Sequence, residues 1–171
     1  MTQQDNDRAE DQARAQFESI AAMIAAAEMD WERLAELRDM RADHEADMAD
    51  QTDPKAWEIA YPDEAEELAE LEETAGDCED YEDAMRRIYE DPLSVDFRSG
   101  WSSDPHHMEP EEFQILLCTG GPAVRIMGEL GFDGEPSRAW LEFQDWGTPW
   151  TQYFGADQDT LLAYARWNIS I

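Results

Sequence analysis

Positive charge is what this sequence has least of. Eleven arginines and one lysine, Lys55, stand against 42 acids, a formal net charge of −30 over 171 residues. A field of that sign argues against nucleic acid and anionic membrane as direct ligands, and it favours a basic protein surface as partner. Cysteine is nearly absent too. Cys78 and Cys118 lie in different segments without CxxC spacing, which excludes a disulfide framework and points to free thiols in a reducing compartment. The longest apolar run, Ile20 to Ala27, is too short to cross a bilayer, and Met1-Thr2-Gln3-Gln4-Asp5 has neither the basic nor the apolar region of a signal peptide. The expectation is a cytoplasmic protein.

Aromatic residues are not scarce. Seven Trp, six Phe and five Tyr, within an apolar fraction of 42%, distinguish the chain from a disordered acidic tail and require a buried core. The acid is also uneven. Residues 1–91 carry 30 acids and 8 bases, residues 92–171 carry 12 and 4, and the span 42–91 alone holds 20 acids against 3 bases. Salt adaptation, the plainest source of an Arg-rich and strongly acidic composition, should spread acid over the whole surface. A dedicated acidic segment fits the asymmetry better.

The first half has a helical period. No Gly or Pro interrupts residues 1–53, and Phe17, Ile20, Ile24, Ala27, Trp31 and Leu34 follow a 3,4 spacing that Leu37, Met40 and Met48 extend. One long helix or a helical hairpin satisfies this pattern; Asp30 is placed to cap a second helix. The 17–34 stripe could cover this chain's own sheet or pair with a second copy. Asp53-Pro54 and Pro62-Asp63 mark breaks. After the second, Ala65, Leu68, Leu71 and Ala75 outline a helix stopped by Gly76, and Cys78, Tyr81, Met85 and Ile88 outline another ended by Asp91-Pro92.

The second half changes to a period of two. Val95 and Phe97, then Phe113, Ile115 and Leu117, then Val124 and Ile126, then Ala139, Leu141 and Phe143 alternate with more polar neighbours. Thr119-Gly120-Gly121-Pro122 and Gly131 to Pro136 supply turns between them. The prediction is an α+β fold: an acidic helical segment over 1–91, then a four-stranded antiparallel meander and a C-terminal helix over 92–171, with Asp157 as that helix's cap and 54–91 joined to the sheet in one compact unit.

Most chemistries find little support. Adjacent His106-His107 lack the i,i+4 or i,i+2 spacing of metal ligands, and His44 has no second His within reach, so no metal site is expected. Thr119-Gly120-Gly121-Pro122 lacks phosphate-loop spacing and precedes a strand, which makes it a hairpin turn. Cys118 has no His placed to activate it, and Ser99, Ser102 and Ser103 lack a nucleophile-elbow context. No catalytic residue and no cofactor is expected, and the chain is read as a binding protein rather than an enzyme.

Two features carry functional weight. Between Asp63 and Asp83 stand twelve carboxylates: Asp63, Glu64, Glu66, Glu67, Glu70, Glu72, Glu73, Asp77, Glu79, Asp80, Glu82 and Asp83. If helical throughout, this stretch spans roughly 30 Å at ~1.5 Å per residue. Its charge spacing of ~2.6 Å then approaches the roughly 1.7 Å of duplex DNA. The other feature is Gln144-Asp145-Trp146-Gly147-Thr148-Pro149-Trp150-Thr151, whose Trp146 and Trp150 either fold back over the sheet edge or form an aromatic binding surface.

The segments Asp91-Pro92-Leu93-Ser94-Val95, Arg98-Ser99-Gly100-Trp101, Phe113 to Ile126 and Gln144 to Thr151 resemble an uncharacterised family of acidic proteins from proteobacterial phages, plasmids and integrative elements. The likeness covers most of 75–165. It implies a mobile-element context, in which small acidic proteins include DNA mimics that block restriction or CRISPR complexes. The resulting expectation is a DNA-mimicking anti-CRISPR or anti-restriction protein whose 63–83 carboxylates meet a basic nucleic-acid-binding defence complex. The alternatives are a regulatory interaction module of a mobile element and a halophile-adapted protein of unknown activity.

Overall fold

A computed structural model describes residues 3–47, 56–101, 103–104, 106 and 108–169. Met48, the Asp53-Pro54 break, Lys55, Ser102 and His107 lie outside the described residues. The chain forms two compact units, one of residues 1–24 and 86–171 and one of residues 25–85. The expected boundary at 91/92 therefore falls inside the first unit.

Helix α1 runs from Gln3 to Glu28 and α2 from Trp31 to Asp47. The break between them is made by Asp30, whose Oδ1 accepts from the Arg33 amide at 2.8 Å while its carbonyl accepts from the Leu34 amide. This is the N-cap geometry that Asp favours, and it resolves the choice between one helix and two. Ile20, Ile24, Ala27 and Leu34 of the apolar stripe are all buried within the single chain.

In unit 25–85, α3 (Ala56–Ala60) and α4 (Pro62–Ala75) follow α2. The five-residue α3 was not separately expected; it is too short to show a period. Leu34 and Leu37 of α2 pack with Leu68 and Ala75 of α4, with Met29, Trp31 and Leu71 around them. Gly76 closes α4 at φ +56, donating its amide to the Glu72 carbonyl. Its ψ of −125 differs from that of the left-handed helical cap, but a positive φ of this kind is one that glycine adopts without steric cost. Helix α5 (Tyr81–Glu90) begins after the turn, with the Asp80 carboxylate accepting from the Asp83 amide at 2.8 Å.

In the other unit a meander of five antiparallel strands runs in sequence order: β1 (Ser94–Ser99), β2 (Pro110–Cys118), β3 (Ala123–Leu130), β4 (Pro136–Gln144) and β5 (Thr151–Tyr153). The expected four strands are present, and β5 corrects the count. Its three residues pair with Leu141–Phe143 of β4 and are too few to show alternation in the sequence. Register puts Ile115 opposite Ile126 and Ile126 opposite Leu141, so one face is continuously apolar. Phe113, Ile115, Val124, Ile126, Leu141 and Phe143 are buried there. Helix α6 (Gln158–Asn168) packs against β4 and buries Leu161, Leu162, Tyr164 and Ala165. Asp157 caps it as expected, its Oδ1 accepting from the Thr160 amide at 2.9 Å. The Tyr164 hydroxyl donates to Asp91 at 2.6 Å, fixing α6 to the segment that enters β1.

Among the described residues no helix is long and apolar enough to cross a membrane.

Candidate functional site

The charge is steeper between the two units than between the two halves of the sequence. Residues 25–85 hold 23 acids and 4 bases, a net of −19 in 61 residues; the remaining 110 hold 19 acids and 8 bases, a net of −11. The three arginines described in unit 25–85 are all spent on internal pairs. Arg33 Nε and Nη2 donate to the two Glu67 oxygens at 3.0 and 2.7 Å, and Nη1 reaches Glu36 at 3.2 Å. Arg38 donates to Glu72 at 3.3 Å, and Arg41 to Glu45 at 2.9 Å. The forked Arg33–Glu67 pair is the strong, geometrically specific form of this contact. Hydrogen bonding to Arg33 holds the Glu67 carboxyl below the usual carboxylate range, and the same pair raises the Arg33 pKa. Arg33–Glu67 and Arg38–Glu72 both join α2 to α4, on the flank of the apolar seam.

With these three arginines engaged in ion pairs, each helix also shows solvent a row of acids. On α4 the exposed row is Asp63, Glu66, Glu70 and Glu73, at spacings of three, four and three. On α2 it is Glu32, Glu36, Asp39, Asp43 and Asp47, at spacings of four, three, four and four; among the described residues Glu36 alone of these is held by an arginine, Arg33. Such neighbours share one helix face, and each like-charged pair is unfavourable by about 0.2–0.5 kcal/mol at low salt. The α2 row escaped the sequence reading because its acids alternate with Arg33, Arg38 and Arg41, which lower the local net charge. Its signal was the 3,4 spacing of the acids themselves.

The twelve carboxylates of 63–83 do not form one rod, because Gly76 divides them. Asp63, Glu66, Glu70 and Glu73 line the outer face of α4, with Glu64 half-buried beside them. Glu67 and Glu72 belong to the α2–α4 pairs. Asp77, Glu79 and Asp80 lie in the turn, and Glu82 is exposed on α5. Asp80 starts α5, and Asp83 is buried, accepting from the Glu79 amide at 3.3 Å. The two acids that begin α5 thus do structural work.

The two tryptophans of the β4–β5 loop have separate situations. Trp150 is half-buried and lies on the outer face of the sheet, with the Arg125 guanidinium 4.0 Å from its ring centroid. Arg125 is also held by Glu142 at 2.7 Å and by the Gln114 amide oxygen at 2.7 Å. Trp146 is 79% exposed. The loop around it is rigidified by hydrogen bonds between Asp145 and Thr148, and the Asp145 Oδ1 accepts from the Trp146 amide at 2.7 Å.

Cys118 is half-buried at the end of β2, and burial pushes its thiol pKa up, the opposite of an activated nucleophile. His44 packs edge-on against Trp57 and Tyr61, with centroids 5.9 and 5.5 Å away. Among the described residues no group of three or more His, Cys, Asp or Glu is arranged to hold a metal. No family model, curated protein or solved structure matches the chain.

Proposed function

We propose that the chain is a non-enzymatic binding protein that engages a basic, nucleic-acid-binding protein surface through the exposed acid rows of α2 and α4. One observation carries this reading: the α2–α4 pair consumes its own described arginines in internal ion pairs and leaves two ordered rows of carboxylates facing water. A merely solvated surface has no need of that order, and like-charge rows oppose folding. A rigid pair of acid-lined helices presents charge at spacings fixed by the backbone, which is what a competitor for a phosphate-binding groove requires. Together with the mobile-element resemblance, this supports a DNA-mimicking inhibitor of a defence nuclease, an anti-CRISPR or anti-restriction protein.

The test is capture from a proteobacterial lysate at low salt, followed by elution with duplex DNA. The expected result is that nucleic-acid-binding proteins are retained, released by DNA and by high salt, and lost with the variant Asp63→Asn, Glu66→Gln, Glu70→Gln, Glu73→Gln. Capture that survives this neutralisation would contradict the proposal.

A further inference from the structure

We infer that Trp146, Asp145 and Gln144 form a receptor for a single arginine side chain. Three observations lead there. The first is a cavity of about 150 Å³ between the β2–β3 turn and the β4–β5 loop, lined by these three residues and by Thr119, Gly120 and Gly121. Ligand pockets for whole small molecules run from about 300 Å³ upward, so this one suits one side chain.

The second is the disposition of groups around it. Gly121, at φ +98, lies so close to the Trp146 indole that no Cβ could be accommodated, so the turn supports one edge of the ring. The rest of the ring is open to solvent, as its 79% exposure requires. Asp145 uses Oδ1 on the Trp146 amide, and its Oδ2 has no partner among the described residues. The Gln144 side-chain amide has none either. An aromatic face, a carboxylate oxygen and an amide oxygen together ask for a flat, cationic, multiply donating group, which is a guanidinium.

The third is that the chain already builds this arrangement for one of its own arginines. Arg125 stacks on Trp150 and donates to Glu142 and to Gln114: again an indole, a carboxylate and a glutamine oxygen. Gln144-Asp145-Trp146 repeats the set in three consecutive residues. Charge complementarity fixes the source of the incoming arginine as a basic protein, because a nucleotide would bring phosphates to Asp145. The inference rests on the proposed basic partner but concerns a different surface from the α2 and α4 acid rows.

The test is an amide and indole NMR titration of the full chain with N-acetyl-arginine amide, using N-acetyl-citrulline amide as the uncharged isostere. The Trp146 indole signal is assigned by its loss in Trp146→Ala. A saturable shift of that signal with the arginine compound, absent with citrulline and weaker with N-acetyl-lysine amide, is expected. Asp145→Asn keeps the Oδ1 acceptor and should weaken binding about ten-fold, as expected for loss of a charge-assisted hydrogen bond. The four-site α4 variant should leave the titration unchanged, so failure of the acid-row reading and failure of this one give different results. An equal response to citrulline or lysine, an unchanged affinity in Asp145→Asn, or shifts at Trp146 no larger than those along α2 and α4 would overturn the inference.

Discussion

The two units divide the usual tasks of a protein unevenly. Unit 1–24 with 86–171 owns the large apolar residues of the sheet and α6, including Phe113, Leu141 and Tyr164, and carries a modest charge for its size. Unit 25–85 has a thinner apolar seam, of Leu34, Leu37, Leu68 and Ala75, and nearly two-thirds of the net negative charge. A region with a small core is the one least able to tolerate self-repulsion. Its acid rows therefore work against its folding, a cost that the proposed engagement of a basic partner would offset.

The contrast can be broken first at the sheet. Phe113→Ala should cost about 3–5 kcal/mol, because it removes a fully buried aromatic side chain from the centre of β2. Urea unfolding followed by tryptophan fluorescence measures this; a loss below 1 kcal/mol, within the range of a ~±0.5 kcal/mol surface change and its error, would deny the sheet its role as principal core. Tyr164→Phe comes next. It strands the Asp91 carboxylate without its 2.6 Å donor, at an expected cost of about 1–3 kcal/mol.

Much of this architecture was legible in the sequence. Strict alternation at Phe113, Ile115 and Leu117 identified β2 because one face of the sheet is buried and the other is not. The Asp30 and Asp157 caps were readable because a short carboxylate before an apolar period has one favoured geometry. Thr151–Tyr153 was not, since a three-residue edge strand takes its conformation from β4 rather than from its own pattern. Half of the candidate site was legible as well. The density of acid in 63–83 was plain, but which carboxylates face outward depends on Gly76, on the Asp80 cap and on the pairing of Glu67 and Glu72 with Arg33 and Arg38. Those pairs join residues 34 positions apart, and no local pattern announces them. Trp150 and Trp146 could not be told apart for the same reason: Arg125, on another strand, selects one of them.

Smaller effects are expected at the helix surfaces and at the α6 cap. Added salt should raise the stability of the α2–α4 pair, by screening its acid rows, more than that of the sheet. Hydrogen exchange at low and high ionic strength separates the two; equal gains would remove the argument from self-repulsion. Asp157→Ala should cost about 1 kcal/mol at neutral pH through loss of the α6 cap. The Thr160 amide and hydroxyl hold the Asp157 carboxyl below its ordinary value of 3.8. A depressed folded-state pKa stabilises above the unfolded value and is lost as the pH falls through the lowered one. The difference between wild type and Asp157→Ala should accordingly shrink in acid, and a difference independent of pH would argue against the cap as its source.

In the proposed function, ordered acids on α2 and α4, not acidity in general, select the partner. This selection is tested most directly by comparing two variants of equal net charge in the DNA-eluted capture experiment. One neutralises Asp63, Glu66, Glu70 and Glu73 on α4; the other neutralises Asp96, Glu109, Glu111 and Glu135 on the sheet unit. The account predicts that the first loses the captured proteins and the second retains them. Equal loss in both would show that bulk charge alone is responsible.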